Sequence, residues 1–441
     1  MQRPLDEAEA RAAVKAAFDA VAVADVRVNI NASETGFLRW AVNGATTSGQ
    51  VTDAAVSVSC AVGNKHGSAD VHGLAPADIA AAARRALEIA QLAPDDPEYL
   101  PSLGAAAVKP VPVAWSDTAV SADDRAAIVA DAIASAKKQG LVGAGFLESR
   151  RASGVVATRA GFFGIHHSSS IALSTTARTP DGSGSGWGTA SAVALKDLDA
   201  AAAVSTACDK ALRSRNAKPL EPGVYPVVLE PAAVGSLMGF MPLDARSADE
   251  GHSPFTKPGG GTRVGEKLLG ELTLRVDPWH ALLPSAPFDF QGMPRPPLTF
   301  IGNGVLEKLG YSRYWGKKMK HPADANYDRL LASGPRPQTL AELVAGLERG
   351  LVVTHLFYIR MLEPQTVTVT GLTRDGVFLV EKGQIVGPVN NFRFNQSVLQ
   401  MFADADGYTA PVRVESDEME ARLAPALRCK AFHMASRSDA I

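Results

Sequence analysis

Apolar positions recur at helical spacing over residues 6–22 (Ala10, Ala13, Val14, Ala17, Phe18, Val21), and Asp6, Glu7 and Glu9 fall in the first turn, where the helix dipole favours negative charge. This predicts a first helix. The period then drops to two: residues 25–31 alternate, 37–42 follow and 51–62 alternate again, with the turn dipeptides Asn43-Gly44 and Gly63-Asn64 between them. These runs predict antiparallel hairpins. Pro76 opens a second expected helix over 76–92, carrying Ile79, Ala82, Ala83, Leu87 and Ile89. Residues 94–112 are proline-rich and irregular. The order then recurs. Ser121 with Asp124 reads as a capping box, Asp replacing Glu, for a helix that ends at Gly140. Strands are expected at 143–149, 154–158 and 164–176. Residues 181–188 (DGSGSGWG) read as a flexible loop, and 198–214 as an alanine-rich helix. Helix, strands, helix twice over suggests two related layers.

Residues 216–223 read as a linker, and beyond them the texture changes. A strand is expected at 224–230, a short helix from Pro231, and a long polar stretch at 244–263. Short strands follow at 271–276, 298–301, 351–361, 366–371, 376–380 and 384–388, with helices at 340–349 and 395–404. The expected fold class is α+β. An N-terminal mixed helix/antiparallel-sheet domain (1–218, with 1–110 and 111–218 as its two layers) precedes a β-rich C-terminal domain (219–441).

Composition narrows the function classes. With 46% hydrophobic and 20% charged residues, the 441-residue chain is globular rather than disordered. Its 44 Lys and Arg against 46 Asp and Glu leave a net charge of −2, with no basic stripe to displace counterions, so no nucleic-acid partner is expected. Three scattered cysteines (Cys60, Cys208, Cys429) exclude a disulfide scaffold or a CxxC zinc ribbon and suit a reducing compartment. The N-terminus starts with charge and lacks an apolar core. The apolar runs 126–136 and 198–207 are broken by Asp and too short to span a bilayer. A cytoplasmic protein without a membrane partner is the expectation.

Candidate chemistry is sparse. No His-Glu-x-x-His or His-Glu-x-x-x-His string occurs among the nine histidines. Adjacent His166 and His167 would point to opposite faces of a strand and cannot easily share an ion. His252 lies in ADEGHSPF near Asp244, Asp249 and Glu250, a spacing that matches no standard site. GSGSG at 182–186 puts glycine at the centre of a would-be nucleophile elbow. GGTRVGEK at 260–267 has Glu266 where a phosphate loop needs lysine. Cys60 and Cys208 read as core packing, and KKMKH at 317–321 as a solvated turn. By chemistry alone, no self-contained active site is legible.

Several strings, in order along nearly the whole chain, resemble the TldD/PmbA family: ADVRV at 24–28, GFLRWAVNGATTSG at 36–49, PGVYPVVLEPAAVGSLM at 222–238, FDFQGMP at 288–294, GLVVTHLFYIR at 350–360 and TGLTRDGVFLVEKGQI at 370–385. In that family the catalytic TldD-like subunit carries a His-Glu-x-x-x-His helix after the strand and proline that open the C-terminal domain. The resemblance places those positions at Gly239, Phe240 and Asp244, which cannot supply the three protein ligands of a catalytic zinc. The family's third ligand, a C-terminal cysteine, has no convincing counterpart, since Cys429 in PALRCKAF has a strand-like context. The match is therefore to the TldE (PmbA)-like branch. That branch implies a metal-less subunit, zinc held in a TldD-like partner, and a chamber admitting small or unfolded peptides as extended strands. Thr373, Arg374 and Asp375 are the expected substrate-binding residues, on a chamber-facing loop whose arginine would grip a peptide carboxylate. The alternative there is a hairpin turn at Asp375-Gly376 with Arg374 as a surface charge. Two other readings stay open: a homodimeric peptide- or ligand-binding protein that has lost proteolysis, and an enzyme using Asp244, Asp249, Glu250, His252 and Glu266 with another metal.

Overall fold

A computed structural model of the chain describes residues 4–416 and 419–438; residues 1–3 of the N-terminal run read for export lie outside them. Helix α1 (Glu7–Asp19) opens on a reciprocal cap, Asp6 accepting from the Glu9 backbone and Glu9 from that of Asp6, and buries Ala10, Ala13, Val14 and Ala17. β1 (Asp25–Ala41) and β2 (Gly44–Val62) form one long hairpin, continued by β3 (Lys65–His72). The two-residue turn is Val42-Asn43, both with positive φ (51° and 57°), one position before the expected pair. Helix α2 (Pro76–Leu92) packs so closely on β3 that a Cβ at Gly67 would lie 2.6 Å from the Ala90 amide nitrogen. Helix α3 (Ala122–Lys138), with its Ser121/Asp124 capping box, leads into β4 (Val142–Thr158), β5 (Phe163–Arg178), β6 (Ser185–Ala192) and α4 (Ala200–Arg213).

The two series do not stack as separate layers. They share one six-stranded sheet in the order β3-β2-β1-β4-β5-β6, joined where β1 pairs with β4 from Arg27–Thr158 to Trp40–Gly145. This pairing also explains why 143–149 and 154–158 fuse into one strand. A central strand has its backbone groups satisfied on both sides, so polar residues such as Arg150 do not interrupt it; Arg150 bonds Asn31 on the neighbouring strand.

The expected loop at 181–188 is half strand. Gly184, Gly186 and Gly188 turn one face towards α4, where added Cβ atoms would lie 2.2, 2.1 and 2.1 Å from the carbonyl oxygens of Ala211, Ala207 and Ala203. Two residues of strand advance about 6.6 Å and four of helix about 6.0 Å, so the periods match along the contact. These glycines serve close backbone approach, not flexibility.

Beyond residue 222 the chain runs through β7 (Gly223–Leu229), α5 (Pro231–Met238), α6 (Ala245–Asp249), β8 (Thr273–Val276), β9 (Leu298–Gly302) and β10 (Val305–Leu306). Next come α7 (Arg313–Met319), β11 (Leu331–Ser333), α8 (Leu340–Ala345), β12 (Arg349–Glu363), β13 (Thr368–Glu381) and β14 (Gln384–Val389). The last elements are β15 (Asn391–Ser397), α9 (Val398–Ala403), β16 (Ala405–Tyr408), β17 (Val412–Ser416), β18 (Met419–Ala424) and β19 (Leu427–Ser438). Helix 340–349 stops early because Gly346 caps it and Arg349 already pairs with Glu381. The helix expected at 395–404 begins only at Val398, since residues 395–397 pair with β13. The runs 366–371 and 376–380 are the single strand β13.

Pairings close on themselves in this half: β12 joins β7 and β13, β7 joins β19, β19 joins β15, and β15 returns to β13. Phe392, Phe394, Phe432, Val227, Leu351 and Val353 belong to the large core of this half, which also takes in α5. A second sheet, β10-β9-β8-β11-β18-β17, flanks it. The mixed helix–sheet N-terminal part and the β-rich remainder agree with the α+β class. Among the described residues, no helix is long and apolar enough to cross a membrane.

Candidate functional site

The positions that the resemblance assigns to the metal helix lie at the end of α5. Pro231 sets the first turn and the helix is buried nearly all round, through Ala233, Val234, Leu237 and Met238. It ends at Met238, so Gly239 is its cap rather than a helical ligand position. Gly239 and Asp244 line a cleft of about 480 Å³ whose walls include Met241, Asp289, Phe290, Tyr311, Arg313 and Tyr327. The backbone fixes its floor: the Gly310 amide donates to the Leu243 carbonyl (2.7 Å) and the Ala245 amide to that of Gly310 (3.0 Å).

The acids of this cleft are already engaged. Asp244 caps α6, accepting from the Ser247 amide (2.7 Å), the Ser247 hydroxyl (2.6 Å) and the Arg246 amide (3.3 Å). Asp289 accepts from the amides of Gln291, Met293 and Asn326 (2.8–3.0 Å) and so holds two loops together. Asp324 pairs with Lys308 (2.6 Å). Arg313 bonds Gln291 and the Pro101 carbonyl; burial, then the nearby Arg27, push its guanidinium below the usual arginine range.

The donor set does not fit zinc. Gly239 has no side chain, Phe240 no donor atom, and Asp244 would have to abandon its cap. Cys429 is elsewhere, buried on β19 opposite Val227, where burial pushes its thiol up to about 12 and its Sγ donates to the Ala431 carbonyl. Nor are the five residues of the alternative metal reading gathered. Asp249 accepts from the Trp315 indole (2.8 Å), Glu250 pairs with Arg246 (3.1 Å), Glu266 with Arg263 (2.9 Å), and His252 is exposed. Among the described residues, no group of three or more His, Cys, Asp or Glu is placed to hold an ion.

His166 and His167 diverge as strand neighbours do. His167 bonds Ser153 (3.0 Å) beside Trp115, whereas His166 feels Arg329, Arg295 and Asp328 of the C-terminal half. Burial first, then the charge of His167 and the two arginines, lower His166 to about 4. The unfolded chain therefore takes up a proton here at higher pH than the folded one. Stability is expected to fall as pH drops from about 6.5 to about 4. Replacement by glutamine should flatten that part of a denaturation-versus-pH curve.

Thr373, Arg374 and Asp375 are not on a loop, and Asp375-Gly376 is not a hairpin turn. They lie within β13, where the register against β12 shifts: Val353 faces Val377 and His355 faces Arg374, leaving Asp375 and Gly376 opposite Thr354. This is a β-bulge, with positive φ at both residues (56° and 124°). Thr373 and Asp375 are 0% and 3% exposed. The Thr373 hydroxyl accepts from the Phe392 amide (2.8 Å), and the Arg374 guanidinium lies 4.6 Å over the Phe357 ring.

The bulge aims the Asp375 carboxylate at the N-terminal half. One oxygen accepts from the Ser185 hydroxyl on β6, the other from His355 Nδ1 (3.1 Å). The His355 ring stacks on Trp187 at 4.1 Å with planes 3° apart, and the Thr354 hydroxyl ties the carbonyls of Asp375 and Gly376 (3.1 Å each). Burial would raise the Asp375 carboxyl. The bonds from His355 and Ser185 and the charges of His355 and Arg374 outweigh it, and the carboxyl titrates below the usual range. Because the carboxylate, not the imidazole, stands between the other two groups, this cluster lacks the order of a hydrolytic triad and reads as a lock between β13 and the N-terminal sheet. Sequence reasoning missed Ser185, Trp187 and His355. The available signal was Thr354-His355 inside an apolar strand, a buried polar pair that demands partners.

Residues 222–436 match the family model described as the PmbA/TldA metallopeptidase C-terminal domain. No curated protein matches the sequence. Among solved structures, TldE from Thermococcus kodakarensis superposes with a TM-score of 0.83 at 18% identity, over 96% of this chain and 99% of that one. Candidate modulators of DNA gyrase from Thermotoga maritima (TM-score 0.82, 16% identity, 96% and 98% covered) and Bacteroides thetaiotaomicron (0.79, 17%, 98% and 99%) share the fold. Residues 222–436 thus form a C-terminal domain of the PmbA/TldD metallopeptidase family, on a whole-chain fold shared with TldE.

Proposed function

We propose that the chain is the non-catalytic, TldE-like subunit of a zinc metallopeptidase that cleaves small or unfolded peptides in the cytoplasm, with the zinc held by a TldD-like partner. The observation that carries this reading is the chemistry at Gly239, Phe240 and Asp244. Two of the three have no ligand atom and the third is consumed as a helix cap. The cleft beside these positions, about 480 Å³, has acids that brace loops or cap a helix, which supports the reading. Such a subunit contributes walls and a fixed surface to a shared chamber, while the hydrolytic step belongs to the partner.

The test is metal content and peptide cleavage for the purified chain alone and mixed with a TldD-like subunit. Alone, the chain should hold far less than one zinc per molecule and leave unstructured peptides intact. With the partner, zinc-dependent cleavage should appear. Stoichiometric zinc and cleavage by the chain alone would overturn the reading, as would a mixture no more active than the partner by itself.

A further inference from the structure

Helix α3 carries a charge in its own core stripe. Its buried face runs Arg125, Val129, Ala132, Ala136, so an arginine that is only 4% exposed stands where the spacing calls for an apolar residue. Its seat is provided by β1. A Cβ at Gly36 would lie 2.3 Å from Arg125 Nη1 and 2.8 Å from Nη2, so the guanidinium fits there because that position is glycine. The charge is not answered. Nη1 donates to the Val120 carbonyl (2.9 Å) and the Ser149 hydroxyl (3.3 Å), both neutral, and among the described residues no carboxylate forms an ion pair with it. Neighbouring Asp124 is committed to the amide and hydroxyl of Ser121 (2.8 and 2.6 Å). A second cation lines the same gap. Arg151, on β4, donates from Nη2 to the Asp117 carbonyl (3.3 Å) and lies 4.5 Å over the Trp115 ring, while its Nε is buried without an acceptor. Both arginines line a cavity of about 20 Å³, together with Glu34, whose carboxylate accepts from the Gln50 amide.

We infer that this cavity binds a single halide-sized anion, chloride under physiological conditions, between the guanidinium groups of Arg125 and Arg151. Burying a guanidinium with no counter-charge costs far more than burying a paired one, and neutral hydrogen-bond acceptors do not remove that cost. An anion does. Size selects which. A water-sized occupant needs about 10–15 Å³ of such space, so a cavity of about 20 Å³ admits one small ion and excludes a phosphate or a carboxylate-bearing molecule. Water would fill the space but bring no charge. Glu34 opposes the ion and limits its affinity. Once bound, the ion fastens the first turn of α3 to β4, because its two cationic partners sit on those elements.

The site uses only N-terminal elements and no zinc, so it stands or falls apart from the peptidase reading. The purified full chain is unfolded by heat at fixed ionic strength while gluconate, too large for the cavity, is exchanged for chloride. An ion bound by the folded chain alone should raise the melting temperature by about 2 °C at about 0.2 M chloride. Bromide should act likewise, and crystals grown with it should show an anomalous peak between Arg125 and Arg151. Arg125→Gln, which removes the buried charge, should abolish the chloride-specific rise. Glu34→Gln leaves both arginines in place and should lower the chloride concentration needed for half the rise about threefold, the scale of one screened unit charge. That variant keeps the question answerable should Arg125→Gln fail to fold. Equal melting temperatures in chloride and gluconate, a rise that Arg125→Gln retains, an anomalous map empty at the cavity, or a chloride requirement that Glu34→Gln leaves unchanged would each overturn the inference.

Discussion

Replacing Asp375 by alanine is expected to destabilise the protein by about 3 kcal/mol, the scale found when one partner of a buried charged cluster is removed. The loss comes from what remains behind. Ser185 and His355 are held in a water-poor junction with their acceptor gone, and the β13 bulge keeps a positive-φ backbone that no longer serves a contact. Chemical denaturation at neutral pH measures the cost. The pH dependence identifies its origin. Because the folded carboxyl titrates below its unfolded value of about 3.9, its contribution is complete above that pH. It is lost as pH falls through the lower folded value, where the native state must also bind the proton. Asp375→Ala should therefore be less stable at neutral pH and lose less on acidification than the parent. An acid limb identical in both proteins would contradict the lock.

Gly186→Ala is expected to be as damaging, although it adds one methyl group. That carbon would lie 2.1 Å from the Ala207 carbonyl oxygen, and neither the sheet nor the helix backbone can yield locally. A cost of about 3 kcal/mol, the upper part of the overpacking range, should follow. Gly188→Ala meets the Ala203 carbonyl at the same distance and should match it. Gly154→Ala is the control: its Cβ enters open space on β4 and should leave the melting temperature within a degree or two of the parent. If all three behaved alike, the close approach of α4 to β6 would be wrong.

Helices in the N-terminal half were legible because each carries its own signal, an apolar stripe plus a cap: residues 76–92 and the Ser121/Asp124 box coincide with α2 and the start of α3. Most strands before residue 390 were legible in place but not in extent, whereas β3 and β15 to β18 were not read as strands. The breaks read at 150–153 and 372–375 are mostly polar residues inside paired strands, and pairing is a property of neighbours that a single segment does not reveal. The glycine run at 182–188 misled for the same reason, since a glycine needed for helix contact is spelled like one needed for freedom. For the site, the chemistry of positions 239, 240 and 244 could be judged from residue type alone, because neither glycine nor phenylalanine has a side-chain donor for zinc. Asp375 could not. Its role depends on Ser185, 190 residues earlier, and on a bulge that the Asp-Gly dipeptide disguised as a turn.

The closed ring of strands imposes an order of events on synthesis. β7 is made first among its members, yet both of its neighbours, β12 and β19, come later, and β19 is the last strand of the described chain. Until that strand leaves the ribosome, Val227 to Leu229 keep one open flank and the barrel is a gapped sheet with aromatic side chains facing solvent. A nascent chain arrested before residue 427 is thus an aggregation hazard rather than a smaller working protein, and quality control should recognise it as such.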